Sequence, residues 1–540
     1  MKDISSTGSF INFYLNNYIY VDKTQYIRDL IKLERVFISR PRRFGKSLTL
    51  DTIATLFETG VEPYFKGTWI YDKWTEPTYP VLRLNFLDLD KYSLEHFKQK
   101  LNAIISSFAR DINVKNYEEK VEPEDTIYFL LDELRKEKRQ IVILIDEYDC
   151  QMTANINNET LYKQFQEKIK SFYATIKNKW PIKFLGITGV TRLKDVEIFS
   201  IGSDINDITN DSVYSQMIGF TRDEIKKYYI DYLTLAASYE NKCRVEEVTD
   251  TQIESMLDMM AQNYDGYCFD EFYKKKVFST WSVNKFFQSV VSNKFVYFGE
   301  YWYDNGGLPS ILVNYLKTHE LNIFEYLDKD KFLKVSSDDF KNPTALTTIN
   351  QNVLMCQTGY LTLRSDLNKT STVALGIPNG EIYKALNRLL ANNIFKGNTD
   401  ITDDYGRSLL EVGTVDDIIN LFNSALNSVS YDNYPIVSES SVQNMLKLYL
   451  LGAHQKVLSE VHEAKGRADL VVNTDNRRIV FEFKYAKNET EAKSKLLDAV
   501  EQIKTRDYGN IVPNKTELLR IAAVFNADPK VRAFTEYQEV

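Results

Sequence analysis

Arg35-Val36-Phe37-Ile38-Ser39-Arg40-Pro41-Arg42-Arg43-Phe44-Gly45-Lys46-Ser47 is the stretch whose reading decides the fold. Five residues rich in β-branched and aromatic side chains predict a strand, a polar loop follows, and Leu48-Thr49-Leu50-Asp51-Thr52-Ile53-Ala54 predicts a helix. Strand, loop, Gly-Lys-Ser and helix in that order suit a triphosphate. Loop N–H groups and the helix N-terminus face the phosphates, Lys46 reaches the β and γ oxygens, and Ser47 ligates Mg²⁺. The general pattern begins with Gly five residues before the second Gly, and this chain has Arg40 there. Arg40, Arg42 and Arg43 either add positive field at the phosphates or pair with acidic neighbours.

Working outward, three more apolar runs stand at Val81–Phe86, Ile141–Ile145 and Ile182–Ile187, separated by longer amphipathic stretches. This alternation predicts a parallel sheet covered by helices over the first 215 residues. The run at 141–145 is continuously apolar, as a strand buried on both faces should be, and it ends in Asp146-Glu147. A carboxylate at that place suits the Mg²⁺ shell, so Asp146 is the candidate metal ligand and Glu147 the candidate general base for water; the bland reading is an acidic turn or helix cap. The run at 182–187 leads into Thr188-Gly189-Val190-Thr191-Arg192. Thr188 is a candidate γ-phosphate sensor. Arg192 is a candidate contact to phosphate, here or on a neighbouring subunit of a homo-oligomer, or a surface arginine.

Residues 216–345 read as a helical lid rich in Tyr, Phe and Lys, with turns at Tyr264-Asp265-Gly266-Tyr267 and Asn305-Gly306-Gly307. Residues 346–430 read as helix, hairpin, helix, a winged-helix-like order, followed by a polar linker from Gly397 to Tyr405 and further helices. Residues 431–540 form a second αβ unit. There Gly466-Arg467-Ala468-Asp469-Leu470-Val471-Val472, the turn Asn473-Thr474-Asp475-Asn476, and Arg478-Ile479-Val480-Phe481-Glu482-Phe483-Lys484 make a hairpin. Alternation puts Glu482 and Lys484 on one face and Phe481 and Phe483 on the other. Folding back brings Asp469 near Glu482, where two carboxylates suit Mg²⁺ or Mn²⁺ and Lys484 would orient a metal-bound water toward a phosphodiester. An exposed sheet face with ordinary charge pairs is the bland alternative. Glu439 is a candidate third carboxylate or a charge favoured by a helix dipole, and Gln502 a candidate substrate contact.

Composition narrows the classes. At 540 residues the chain suggests three or four domains, and 44% hydrophobic with 26% charged residues predicts folding throughout. A formal charge of −8 excludes a uniformly basic nucleic-acid coat, so contact with DNA or RNA must be local. Cys150, Cys243, Cys268 and Cys356 form no CxxC pair, and His96, His319, His454 and His462 are scattered, so carboxylates and lysines must carry the chemistry. The opening MKDISSTGSF has no signal-peptide pattern and no apolar run of about 18 residues occurs, so a cytoplasmic protein without a membrane span is expected.

Nearly end to end, the chain resembles the bacterial AAA-ATPase-like family that carries a C-terminal PD-(D/E)XK nuclease-superfamily domain. The residues that carry the likeness are Tyr20–Thr24, Arg40–Ser47, Ile145–Asp149, Thr188–Val190, Gln357–Thr362, Gly376–Asn379, Gly466–Leu470 and Phe481–Lys484. Arg40 looks like that family's own usage. The resemblance implies an α/β multidomain fold: an additional-strand P-loop ATPase, helical and winged-helix-like segments, and a restriction-endonuclease-like αβ domain. It raises Asp469, Glu482 and Lys484 as a nuclease trio. Two functional readings follow. One is an ATP-gated, Mg²⁺-dependent nuclease; the other is an ATP-driven switch whose C-terminal domain binds nucleic acid or protein without cutting.

Overall fold

The computed structural model describes residues 1–177, 179–192, 205–304, 310–316, 319, 323–343, 345–346, 348–395, 405–453, 455–463, 466–506, 508 and 517–540. The turn expected at Asn305-Gly306-Gly307 lies outside them, as does the linker expected from Gly397, except that Tyr405 begins a helix. The chain divides into two compact units, Met1–His319 with Phe332–Ile382, and Glu320–Lys331 with Tyr383–Val540.

In the first unit, β1 (Arg35–Ser39), β2 (Val81–Asn85), β3 (Ile141–Asp146), β4 (Ile182–Gly189) and β5 (Asn206–Asp207) form a sheet in the order β2-β3-β4-β1-β5. Every pairing in it is parallel. β4 stands between β1 and β3, which is the expected additional strand. The register sets Ile38 beside Thr188 and Ser39 beside Gly189, while Asn85 meets Asp146, so the loop, the acidic pair and Thr188 gather at one sheet edge. Ile141 to Ile145 are all buried because helices cover the sheet. Those helices present apolar stripes at helical spacing: Phe97, Leu101 and Ile105 on Leu94–Asp111, Ile127, Leu130, Leu131 and Leu134 on Pro123–Lys136, and Phe165, Ile169, Phe172 and Ile176 on Glu159–Ile176. Each such side chain contributes about 1.5–3 kcal/mol when withdrawn from water, against the entropy of ordering it.

Four helices, Arg222–Tyr228, Ile230–Asn241, Asp250–Tyr264 and Thr280–Asn293, pack around Tyr229, Leu233, Met256, Leu257, Met260, Phe286 and Phe287. Thr221 with Glu224 and Thr249 with Gln252 form reciprocal capping boxes that fix where two of them begin. Further along come β6 (Leu333–Ser336), the helix Gln351–Thr358, β7 (Thr362–Leu363), β8 (Thr372–Gly376) and the helix Gly380–Ile394, with the strands in an antiparallel sheet ordered β6-β8-β7.

The second unit holds β9 (Lys456–Glu463), β10 (Gly466–Asn473), β11 (Arg477–Ala486), β12 (Glu517–Asn526) and β13 (Ala533–Glu539), ordered β13-β12-β11-β10-β9. β11 and β12 run parallel, so a crossover is needed, and the helix Glu489–Arg506 supplies it. Ala499, Val500 and Ile503 of that helix cover Val471, Val480 and Ala522 on one face of the sheet. On the opposite alternation Phe481 stacks with Phe483, and the two lie against Phe422 and Phe534. Among the described residues no helix is long and apolar enough to cross a membrane.

Candidate functional site

The helix Lys46–Thr59 starts directly after Gly45, whose φ of +101° is a conformation that suits glycine, and Arg43 two residues earlier is also left-handed at +69°. These two reversals wrap the loop around the helix N-terminus. Above it lies a cavity of about 330 Å³ whose lining includes Arg42, Arg43, Phe44, Gly45, Lys46, Ser47 and Glu147. Its apolar wall comes from Tyr20, Val21, Ile27, Met217 and Ile218. Lys46 is folded back: its ammonium donates to the carbonyls of Arg40 (3.0 Å) and Pro41 (3.3 Å) and stands 3.4 Å from Glu147 Oε1.

Asp146 joins the two halves of the site. The Ser47 hydroxyl donates to its Oδ2 at 2.5 Å, and the Thr188 hydroxyl donates to its Oδ1. Hydroxyl and carboxylate oxygens side by side, with Ser47 on the cavity lining, are the donor set that Mg²⁺ takes. Sequence reasoning gave Asp149 no role, yet its buried carboxylate accepts Thr191 N–H (2.7 Å), Thr191 Oγ1–H (2.5 Å) and Val190 N–H (3.3 Å). Tyr148 N–H donates to Thr188 O at 3.1 Å, so the turn after β3 is stitched to the end of β4 and sets the position of Thr188. Burial, then the charge of Glu147, holds the Asp149 carboxyl above its ordinary range. The signal for it was a second aspartate three residues after Asp146.

The arginines separate. Arg42 lines the cavity. Arg43 lies over the Trp281 ring at 4.3 Å, and its carbonyl accepts Thr280 Oγ1–H (2.9 Å) and Trp281 N–H (3.3 Å). Burial, then neighbouring Arg42, lowers the Arg43 guanidinium from its ordinary value. Arg40 points away from the cavity altogether. Arg192 pairs through Nε with Asp207, and its backbone N–H donates to Gln357 Oε1 at 3.2 Å. Phe44 is buried, edge-on to Tyr267 (4.7 Å), Phe269 (5.4 Å) and Trp302 (6.1 Å). The walls from Met217 to Phe220 and from Thr280 to Asn284 carried no motif, because tertiary packing alone brings them there.

In the second unit the β10–β11 ladder ends at Leu470 and Phe481. Beyond it the Asp469 carboxylate accepts Phe483 N–H at 2.8 Å, which replaces a ladder bond and sets Asp469 beside Glu482. Glu482 is fully buried and its Oε2 has no hydrogen-bond partner. Lys484 donates to Glu482 Oε1 (2.8 Å) and reaches Glu439 (3.4 Å), the first residue of the helix Glu439–Gly452. Burial, then the charge of Asp469, pushes Glu482 up to about 7. Burial also raises Asp469. Lys484 is raised despite burial, because Glu482 bonds its charged form. An orphaned carboxylate oxygen beside a second carboxylate fits a divalent cation. Glu439 does not close a third side: among the described residues no three His, Cys, Asp or Glu side chains form a metal cage. Gln502 donates to Tyr508 Oη at 3.4 Å, and Gln443 on the helix Glu439–Gly452 donates to the Asp469 carbonyl.

Comparison with known proteins finds a separate match for each of the two sites. Residues 5–199 match the family model described as "Predicted AAA-ATPase", and residues 437–535 match the PD-(D/E)XK nuclease superfamily. A curated relative, "Uncharacterized protein in vnfD 5'region" of Azotobacter chroococcum mcd 1, is 25% identical over 532 residues, 95% of this chain and 94% of its own. Among solved structures, Cdc6p from Pyrobaculum aerophilum aligns over 68% of this chain and 93% of its own, at 11% identity and a TM-score of 0.23. The Aeropyrum pernix Orc1 protein in complex with DNA aligns over 71% and 97%, at 11% identity and 0.27. Scores that low add nothing to the strand order read directly above. Residues 5–199 are thus similar to the AAA-ATPase-like family, and residues 437–535 to the PD-(D/E)XK nuclease superfamily.

Proposed function

We propose that the chain binds and hydrolyses ATP with Mg²⁺ at its N-terminal domain, and that this reaction controls a metal-dependent phosphodiesterase acting on DNA or RNA at its C-terminal domain. The observation that carries the reading is the 2.5 Å contact of Ser47 with Asp146, where Ser47 lines one cavity together with Lys46 and Glu147. Bound triphosphate would draw Lys46 from the Arg40 and Pro41 carbonyls onto its β and γ oxygens and free Glu147 to take a proton from the attacking water. Mg²⁺, held by Ser47 and Asp146, would neutralise charge on the phosphates.

At the C-terminal domain Asp469 and Glu482 would hold the cation and Lys484 would orient the water. Three variants test both halves. Lys46→Ala is expected to abolish nucleotide binding, Glu147→Gln to retain binding and lower turnover by about 10²–10⁴-fold, and Asp469→Ala to spare both while abolishing cleavage. Cleavage that persists in Asp469→Ala rejects the nuclease assignment.

One observation favours the second reading, a switch whose C-terminal domain binds without cutting. The Lys484 ammonium already neutralises Glu482 and reaches Glu439, and two carboxylates rather than three face the cation position. A Mn²⁺ titration of the chain that shows no binding dependent on Asp469 and Glu482 selects that reading.

A further inference from the structure

Arg40 holds the position where the general P-loop has glycine, and its side chain runs to the far side of the loop from the nucleotide cavity. It is 1% exposed. Nη1 donates to the carbonyls of Ser39 (2.9 Å) and Thr209, and the guanidinium lies 4.1 Å over the Phe269 ring. Nε and Nη2 have no hydrogen-bond partner. These two atoms form one edge of the planar group, the edge that presents two parallel N–H bonds to a pair of oxygens.

Charge leads to the same place. Asp207, the carboxylate that acts on Arg40, is already paired with Arg192. Each unsatisfied buried donor costs about 1–3 kcal/mol, and an uncompensated buried charge costs more. Burial correspondingly pushes Arg40 down to about 9. Arg40 also lines a second cavity of about 40 Å³, with Arg192, Thr209, Asn210 and Gln357 among its other walls. That exceeds the roughly 10–15 Å³ one water needs.

We propose that this cavity is a binding site for a small tetrahedral oxyanion, of which inorganic phosphate is the type, held by the Nε and Nη2 edge of Arg40 in a lining that also includes Arg192. The anion accepts from the two buried Arg40 donors that have no hydrogen-bond partner. It also braces the loop from behind, because the Arg40 carbonyl is one of the two that hold Lys46. The site is separate from the triphosphate position and stands whether or not the chain hydrolyses ATP.

Calorimetric titration of the full chain with inorganic phosphate tests it, using Lys46→Ala as the background so that the P-loop does not compete. The expected result is one phosphate per chain, weakened at least tenfold on adding Arg40→Met and partly retained with Arg40→Lys. If Arg40→Met fails to fold, crystals of the unaltered chain soaked in selenate supply the measurement: an anomalous peak within hydrogen-bond distance of Arg40 Nε and Nη2 is expected. No phosphate binding in Lys46→Ala, affinity unchanged by Arg40→Met, or water in place of selenate at that edge overturns the proposal.

Discussion

The Ser47 hydroxyl and the Asp146 carboxylate, 99 residues apart in the chain, meet at 2.5 Å at the edge of the parallel sheet. Neither strand that delivers them neighbours the other: β4 lies between, and it places Thr188 on the second oxygen of the same carboxylate. Asp146→Asn keeps the shape but turns one acceptor oxygen into a donor, so one hydroxyl must accept instead of donate and one anionic cation ligand is lost. Mg²⁺-dependent ATP turnover is expected to fall at least ~100-fold, about 2.7 kcal/mol of barrier, while nucleotide binding without metal changes little. Hydrolysis rates over a Mg²⁺ titration, beside equilibrium binding of a fluorescent ATP analogue, check both parts.

Glu482 gives the C-terminal unit a pH dependence. Its carboxyl is pushed from an ordinary 4.5 up to about 7, first by burial and then by Asp469. The unfolded chain releases this proton near 4.5, whereas the folded chain keeps it until about 7. The folded state therefore binds more protons between those values, and stability falls as pH rises through that span, by on the order of 3 kcal/mol in all. Glu482→Gln is expected to flatten that slope, matching the parent near pH 4.5 and exceeding its unfolding midpoint near pH 8. Since a divalent cation binds only the ionised carboxylate, stabilisation by Mn²⁺ should grow with pH over the same span in the parent and be absent in the variant.

Gly189 ends β4 where the Tyr148 ring crosses it. A Cβ at Gly189 would stand 2.4 Å from Tyr148 Cδ1 and 2.8 Å from Asp149 Oδ1. Tyr148 is buried and its hydroxyl donates to Thr191 O at 3.1 Å, so the ring has little room to yield. Gly189→Ala is expected to cost about 1–3 kcal/mol by overpacking and to shift Thr188 off Asp146. Urea unfolding reads the first effect and the ATP hydrolysis rate the second; a variant as stable as the parent contradicts the account.

How much of this was legible in the sequence follows from what each element buries. β3 announces itself because a strand covered on both faces is apolar along its length, as Ile141–Ile145 is, while β1 and β4 show through apolar cores at Val36–Ile38 and Phe184–Leu185. The hairpin of β10 and β11 shows through its turn, Asn473-Thr474-Asp475-Asn476, and through alternation around Glu482. β5 does not, since Asn206–Asp207 is too short to carry any period. Side-chain direction is invisible too: Arg40 and Arg42 are two residues apart in one motif, yet one faces Phe269 behind the loop and the other the cavity. Arg192 likewise reads as a candidate phosphate contact until Asp207 is seen beside it. Such pairings depend on contacts between distant segments, which local pattern does not encode.

Phe44 ties the loop to the rest of its unit. Most P-loop residues face the phosphates or solvent, but this ring is 1% exposed within a box of Tyr267, Phe269 and Trp302. Removing it leaves a cavity that fixed aromatic walls cannot collapse to fill. Phe44→Ala is expected to cost about 3–5 kcal/mol, and Phe44→Leu under about 1.5, in urea unfolding of the first unit. Phe44 directly precedes Gly45, whose left-handed turn opens the helix Lys46–Thr59, so loss of the anchor also loosens the N–H groups that would face a bound triphosphate. ATP affinity should therefore fall in Phe44→Ala by more than in Phe44→Leu under conditions where both are folded. Equal affinities in the two variants would mean that the ring stabilises the unit without shaping the loop.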